Sequence, residues 1–233
     1  MFSWSTLFLA AATTALAAPS ARGPSFQPPT QLTGCSVPAS VLQQLMPANQ
    51  TTLVAPSSAP NYVALGVGVQ NYTCSATGTF TNIGAYAELF DISCLASKPE
   101  FANIQTNAYQ MWSASPQTTA QQLIDAMGTK PVVLGQHYFI ANPAGTGANV
   151  PKFDFTSGRD AGDANAFAVM SKVGDIAAPS GSSDVDWLML KTTSGGLASQ
   201  IFRVATVAGT DGAACTSGQT ASMKYVAKYF FYQ

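Results

Sequence analysis

Charge is what this chain has least of. Asp, Glu, Lys and Arg make up 9% of its 233 residues and leave a formal net charge of −1, against roughly a quarter of the residues in an average soluble domain. It has no basic run and no acidic tail. Phosphate backbones are held by clustered Lys and Arg, so a nucleic-acid partner is excluded. Histidine is as scarce: His137 is the only one, and any imidazole chemistry must use it. No apolar run is long enough to cross a membrane as a helix, so no membrane span is expected. The chain also ends without the apolar tail of a lipid-anchor signal.

Several chemical signatures are missing too. The nearest approach to a dinucleotide loop, Gly66-Val-Gly-Val-Gln-Asn71, lacks the third glycine and sits inside a strand pattern, not between a strand and a helix. No Gly-x-Ser-x-Gly elbow occurs, so a Ser-His-Asp triad has no nucleophile to start from. The cysteine spacings match no zinc site, and the acidic loop Asp160-Ala-Gly-Asp163-Ala-Asn165 lacks the spacing and closing Glu of a calcium hand. No metal and no cofactor are expected.

What is present reads as an extracellular protein. Residues 1–17 carry an apolar core, Leu7–Ala12, and the small-residue pattern Ala15-Leu-Ala17, which together predict a secretory signal peptide cleaved after Ala17. Residues 18–34, rich in Pro, Ser, Thr and Gly, read as a disordered arm, and 35–233 as a single β-rich domain. The four cysteines, Cys35, Cys74, Cys94 and Cys215, are even in number in a chain marked for secretion, which implies two disulfides with three pairings open. Asn49-Gln-Thr and Asn71-Tyr-Thr are glycosylation sequons.

The stretch Asn61–Cys74 organises the fold. Val63, Leu65, Val67 and Val69 share one parity, and Ala64, Gly66, Gly68 and Gln70 the other, as in a half-buried strand. The glycines leave the second face without bulk, so a backbone, a ring or a ligand can come close. Strand patterns follow over 84–94, 136–141, 152–156, 166–173, 185–192, 200–207 and 223–232, separated by Gly, Pro, Asn, Ser and Asp. Residues 36–46 have the spacing of a short helix, and 99–127 that of two helices stopped by Gly128. The expected fold is mainly β: one antiparallel sandwich or barrel with a few short peripheral helices.

A few side chains are the candidates for a site. His137 opens the apolar strand His-Tyr-Phe-Ile, either as a strand-end group bonded to a loop carbonyl or as a histidine facing a cleft. Arg203 lies inside the apolar strand Ile201–Val207, so its charge must pair with Asp91, Asp154 or Asp186 or face a polar pocket. Asp184 and Asp186 flank Val185 and share a face, close enough to share a proton or a cation. His137, Arg203 and Asp186 are therefore the catalytic candidates. Gln70, His137, Trp187 and Arg203 are the ligand-binding ones.

Gly-Val-Gln-Asn-Tyr-Thr-Cys (68–74), Ala-Glu-Leu-Phe-Asp (87–91), Gly-Gln-His-Tyr-Phe (135–139), Val-Asp-Trp-Leu-Met-Leu (185–190), Phe-Arg-Val-Ala-Thr (202–206), Ala-Ala-Cys (213–215) and Tyr-Val-Ala-Lys-Tyr-Phe-Phe-Tyr (225–232) occur in this order. Together they resemble a secreted family of unknown function found in fungi and bacteria, whose members often bear the label malate dehydrogenase. The resemblance implies secretion and a β-rich domain, and by the positions of the family's cysteines it implies the pairs Cys74–Cys215 and Cys35–Cys94. The label fails on chemistry, because oxidising malate needs a nucleotide fold, a His–Asp pair and arginines for two carboxylates. The expectation is a non-catalytic binding domain at the cell surface or in the matrix, with a glycan or a small molecule as partner. The alternative is an extracellular enzyme or small-ligand carrier with a cleft that holds His137 and Arg203.

Overall fold

Alternation along Asn61–Cys74 becomes the strand β1 (Tyr62–Cys74), and seven more follow in the computed structural model, which describes residues 34–128 and 130–233. They are β2 (Phe80–Asp91), β3 (Val133–Ile140), β4 (Val150–Asp154), β5 (Phe167–Ile176), β6 (Trp187–Ser194), β7 (Gln200–Ala208) and β8 (Thr220–Tyr232). Each pairs antiparallel with the next, and β8 returns to β1 over the register Tyr62↔Phe231 to Thr73↔Thr220. Of the two antiparallel architectures expected, the chain forms the barrel, which leaves no sheet edge to protect. The predicted signal peptide and, except for Gly34, the predicted arm lie outside the described residues.

β1 is buried on both faces, not one. Its valine and leucine face points outward, where Val63, Leu65 and Val67 join a cluster with Val41, Leu42, Phe101, Ile104 and Trp112. The cover over that wall comes from the segment before β1 and from the β2–β3 connection, which contains the helices α1 (Ile104–Ser113) and α2 (Ala120–Met127). The small face of β1 points into the barrel, where Ala64 meets Leu89, Phe153, Tyr225, Tyr229 and Phe231 in a second cluster. Alanine and glycine on one wall leave room for rings from the others, so the interior packs without widening the barrel.

Local signals account for the helix ends. Thr119 caps α2 by accepting from the Gln122 N–H, and the Gln122 side chain accepts from the Thr119 N–H in return, a reciprocal capping box. Gly128, at φ +53, ends the helix. The helix predicted over 36–46 is not formed. The segment holds a single 3-10 turn, Gln43–Leu45, with Val41 and Leu42 still buried. Unlike α2, the segment has no side-chain cap at its N-terminal end, and Pro47 bars any continuation.

Because successive strands alternate direction, the β1–β2, β3–β4, β5–β6 and β7–β8 loops gather at one end of the barrel, the mouth. At the other end, the base, Arg159 pairs with the buried Asp91 and sits over the Tyr62 ring, which packs edge-on against Phe155 and Phe231. The disulfide Cys74–Cys215 ties the top of β1 to the β7–β8 loop at the mouth. Cys35–Cys94 ties the segment before β1 to the start of the β2–β3 connection.

Candidate functional site

The mouth is a cavity of about 690 Å³. Its walls are largely apolar, with Phe139 from β3, Pro151 from β4, Met170 from β5, and Leu188 and Leu190 from β6. Gln70 of β1, Asn82 of β2 and Arg203 of β7 bring polar groups into the same space, and Asp186 and Thr210 contribute from the loops. Those loops are held in place by the chain itself. The Tyr72 hydroxyl donates to the Gly209 carbonyl at 2.6 Å, and Thr210 donates to the carbonyls of Ser182 and Ser183.

Arg203 departs from the ion pair expected of it. Its Nε and Nη2 donate to the main-chain carbonyl of Asp186 at 3.1 and 2.9 Å. The three carboxylates proposed as partners are otherwise placed: Asp91 pairs with Arg159, Asp154 with Lys152, and the Asp186 side chain is exposed at the rim. Among the described residues Arg203 forms no ion pair. Carbonyl contacts hold the guanidinium in place and leave its charge uncancelled. That charge acts on the groups below it, opposing the upward push of burial on the Tyr225 and Tyr229 hydroxyls.

Gln70 is 3% exposed, and only one end of its amide is satisfied. Its Oε1 accepts from Asn82 Nδ2 at 3.0 Å, while its Nε2, beside the Tyr225 hydroxyl, completes no well-formed hydrogen bond among the described residues. Native proteins rarely leave a buried donor unpaired, because doing so costs about 1–3 kcal/mol. Here the unpaired donor belongs to a residue that lines an open cavity.

His137 lies one layer below the mouth, in the middle of β3. Its Nδ1–H donates to the Lys152 carbonyl on β4 at 3.0 Å, and its ring stacks on Phe153 with centroids 4.3 Å apart. Burial pushes the imidazole down to about 4, against the Lys152 carbonyl and with the help of the Arg203 charge. It is therefore neutral at ordinary pH and bonded to a strand carbonyl, not a loop carbonyl.

The other candidates do not converge there. Trp187 packs in the outer cluster with its Nε1 unpartnered among the described residues, and the mouth-facing parity of β6 is that of its neighbour Leu188 and of Leu190. Asp184 does not share a site with Asp186. It accepts from Ser180 Oγ and from the Ala208 N–H, securing the end of β7. Asn49 stands exposed in a turn, and Asn71 lies half-buried in β1 with its Oδ1 accepting from Ser222. Among the described residues no group of three or more His, Cys, Asp or Glu is placed to hold a metal ion, and no helix is long and apolar enough to cross a membrane.

The sequence reading missed Phe139, Met170 and Leu188, the apolar walls. In sequence they are ordinary strand hydrophobes, and only the closure of the barrel separates those at the open end from those packed below. A second cleft, about 250 Å³ and almost wholly apolar, lies between α1, α2 and the barrel wall at Val67 and Phe90.

Fold and site together define an eight-stranded antiparallel barrel with one polar-floored mouth. Residues 55–233 match the model of DUF3455, a family of proteins of unknown function, and the chain belongs to that family. The matched span contains all eight strands. No curated protein and no solved structure matches the chain.

Proposed function

We propose that this is a secreted, non-catalytic binding protein of the extracellular space that takes a small molecule into the barrel mouth. The observation that carries this reading is the convergence of Arg203, the unpaired amide of Gln70 and an apolar wall on one open cavity. Closed barrels of this strand number have interiors just wide enough for packed side chains or one small ligand. The two disulfides suit an oxidising compartment, and we place the protein outside the cell, with Asn49 glycosylated and Asn71 as a second acceptor.

Catalysis is not part of the reading. His137 is buried with its Nδ1–H given to the Lys152 carbonyl, and Asp186 is exposed at the rim. An acid–base relay needs base and orienting carboxylate in hydrogen-bond reach. Malate oxidation has no support either, since every strand pairing is antiparallel and a dinucleotide binds at a parallel sheet.

The test is a native mass-spectrometry screen of the mature protein against metabolite and oligosaccharide libraries, run beside Leu188→Trp, which fills the mouth from a half-buried position. Adducts from the metabolite library that are lost in Leu188→Trp are expected. Adducts that persist unchanged in that variant would show that binding is elsewhere.

A further inference from the structure

The chemistry of the mouth selects among small molecules, and this step rests on the mouth being the binding site. We infer that the ligand is an amphipathic organic acid, bound with its carboxylate down on Arg203 and Gln70 and its hydrocarbon part against the walls.

Three observations converge on that class. First, Arg203 carries a fixed positive charge into a half-buried cavity and has no carboxylate partner among the described residues. Its Nε and Nη2 are bonded to one carbonyl and the Tyr229 hydroxyl lies beside it, which still leaves donors of the planar fork for a planar anion. Second, the Nε2 of Gln70, on a side chain more than nine-tenths buried, is a further donor on the same cavity; the Tyr225 hydroxyl lies near it, but it completes no well-formed hydrogen bond among the described residues. Third, Phe139, Pro151, Met170, Leu188 and Leu190 supply an apolar wall that an inorganic anion would leave wet.

The competing classes fit less well. A phosphate ester brings more charge than one guanidinium neutralises, and the other cation on the cavity, Lys172, is already paired with Asp175. A sugar calls for an aromatic platform ringed by mixed donors and acceptors; Trp187 is turned to the outer wall, and of the rings on the mouth Phe139 has no polar group and the Tyr72 hydroxyl is tied to Gly209. Two carboxylates oppose an acid, Asp211, which acts on Tyr72 of the mouth, and Asp186, whose exposed carboxylate lies on the rim and lines the cavity. Asp186 sets a distinctive expectation: removing its charge should strengthen binding.

The experiment is isothermal titration of the mature protein with decanoate and hydrocinnamate, each beside its methyl ester, at pH 7. The acids should bind and the esters should bind at least about tenfold more weakly, the scale of one charge-assisted hydrogen-bonded contact. Arg203→Gln should weaken acid binding by about ten- to a hundredfold, and Arg203→Lys, which keeps the charge but not the fork, by less. Asp186→Asn should tighten it. Melting curves establish that each variant is folded, and Asp186→Asn, at an exposed position, keeps the test alive if both Arg203 variants fail to fold. Acids and esters bound equally, with the acids indifferent to Asp186→Asn, would overturn the inference and leave the mouth as a binding site for neutral ligands. Failure of both acids in a protein whose screened metabolite is displaced by Leu188→Trp would also overturn it. No mouth-dependent binder of any kind would instead overturn the functional reading beneath it.

Discussion

Replacing Gly68 by alanine is expected to cost about 4 kcal/mol or more, at the far end of what single substitutions do. A Cβ at this position would stand 2.1 Å from the Tyr86 carbonyl oxygen and 2.5 Å from the Ala87 Cα. Both belong to the backbone of β2, the strand bonded to β1 in the register Gly68↔Ala87. Neither can swing aside as a side chain can, so the two strands must part. The Gly68 carbonyl also accepts from the Trp112 indole at 2.9 Å, which pins α1 to the same point of the wall. Gly66→Ala should be milder, because its nearest neighbour at 2.5 Å is the edge of the Tyr229 ring, a packed side chain and not the backbone of a paired strand. Urea unfolding of the two variants checks the order. A Gly68→Ala protein within about 1 kcal/mol of the parent would mean that β1 and β2 do not approach as described.

The second large effect is the response of His137 to acid. The folded protein holds its imidazole at about 4, below the ordinary value of 6.5. Between those two pH values the unfolded chain binds the proton and the folded chain does not, so stability falls as pH falls through the window. Nothing is lost above about pH 6.5, and the loss amounts to roughly 3 kcal/mol by pH 4. The wild-type curve alone will not display it. Burial also pushes Glu88 up to about 8, against the hydrogen bond from Gln136. That group acts with the opposite sign over the same range, favouring the fold as pH falls from about 8 towards its ordinary value of 4.5. The prediction is therefore placed on the difference between wild type and His137→Gln, from which Glu88 cancels. The stability gap should narrow by about 3 kcal/mol between pH 7.5 and pH 4 in urea titrations. A constant gap would show that the imidazole is not held neutral and that a solvent-facing histidine is the better description.

The strands were legible because β1 alternates along its length and the later ones are short apolar runs bounded by turn residues, and β8 carries Tyr225 and Tyr229 on one parity with Val226 and Phe230 on the other. Which face was inside was not legible. A run of Val63, Leu65 and Val67 beside Ala64, Gly66 and Gly68 suggests a greasy inner face. The barrel inverts this, because its interior is narrow and a separate layer covers the outside. Barrel and sandwich could not be separated either, since the β1–β8 pairing that closes the sheet joins the two ends of the domain and leaves no local trace.

The site was half legible for a related reason. A lone arginine in an apolar strand marks itself, and so does a glutamine on a glycine face. Whether Arg203 met a carboxylate depended on where the β5–β6 loop put Asp186, and it presents the main-chain carbonyl to Arg203 while its carboxylate stays exposed at the rim. Trp187 and Leu188 are neighbours of opposite parity, so one residue of register decided which of them reached the cavity. Pairing Cys74 with Cys215 spans 141 residues, a separation at which spacing carries no information about contact.

The central claim is that ligands enter the mouth between Gln70 and Arg203, and residue-resolved NMR with isotope-labelled protein tests it most directly. On titration with decanoate, the side-chain amides of Gln70 and Asn82, the Arg203 Nε–H and the Met170 methyl should shift together along one saturating curve. Met111, Trp112, Leu123 and Met127, which line the apolar cleft under α1 and α2, should stay still. Shifts that gather on those helix residues while the mouth groups remain unmoved would contradict the account.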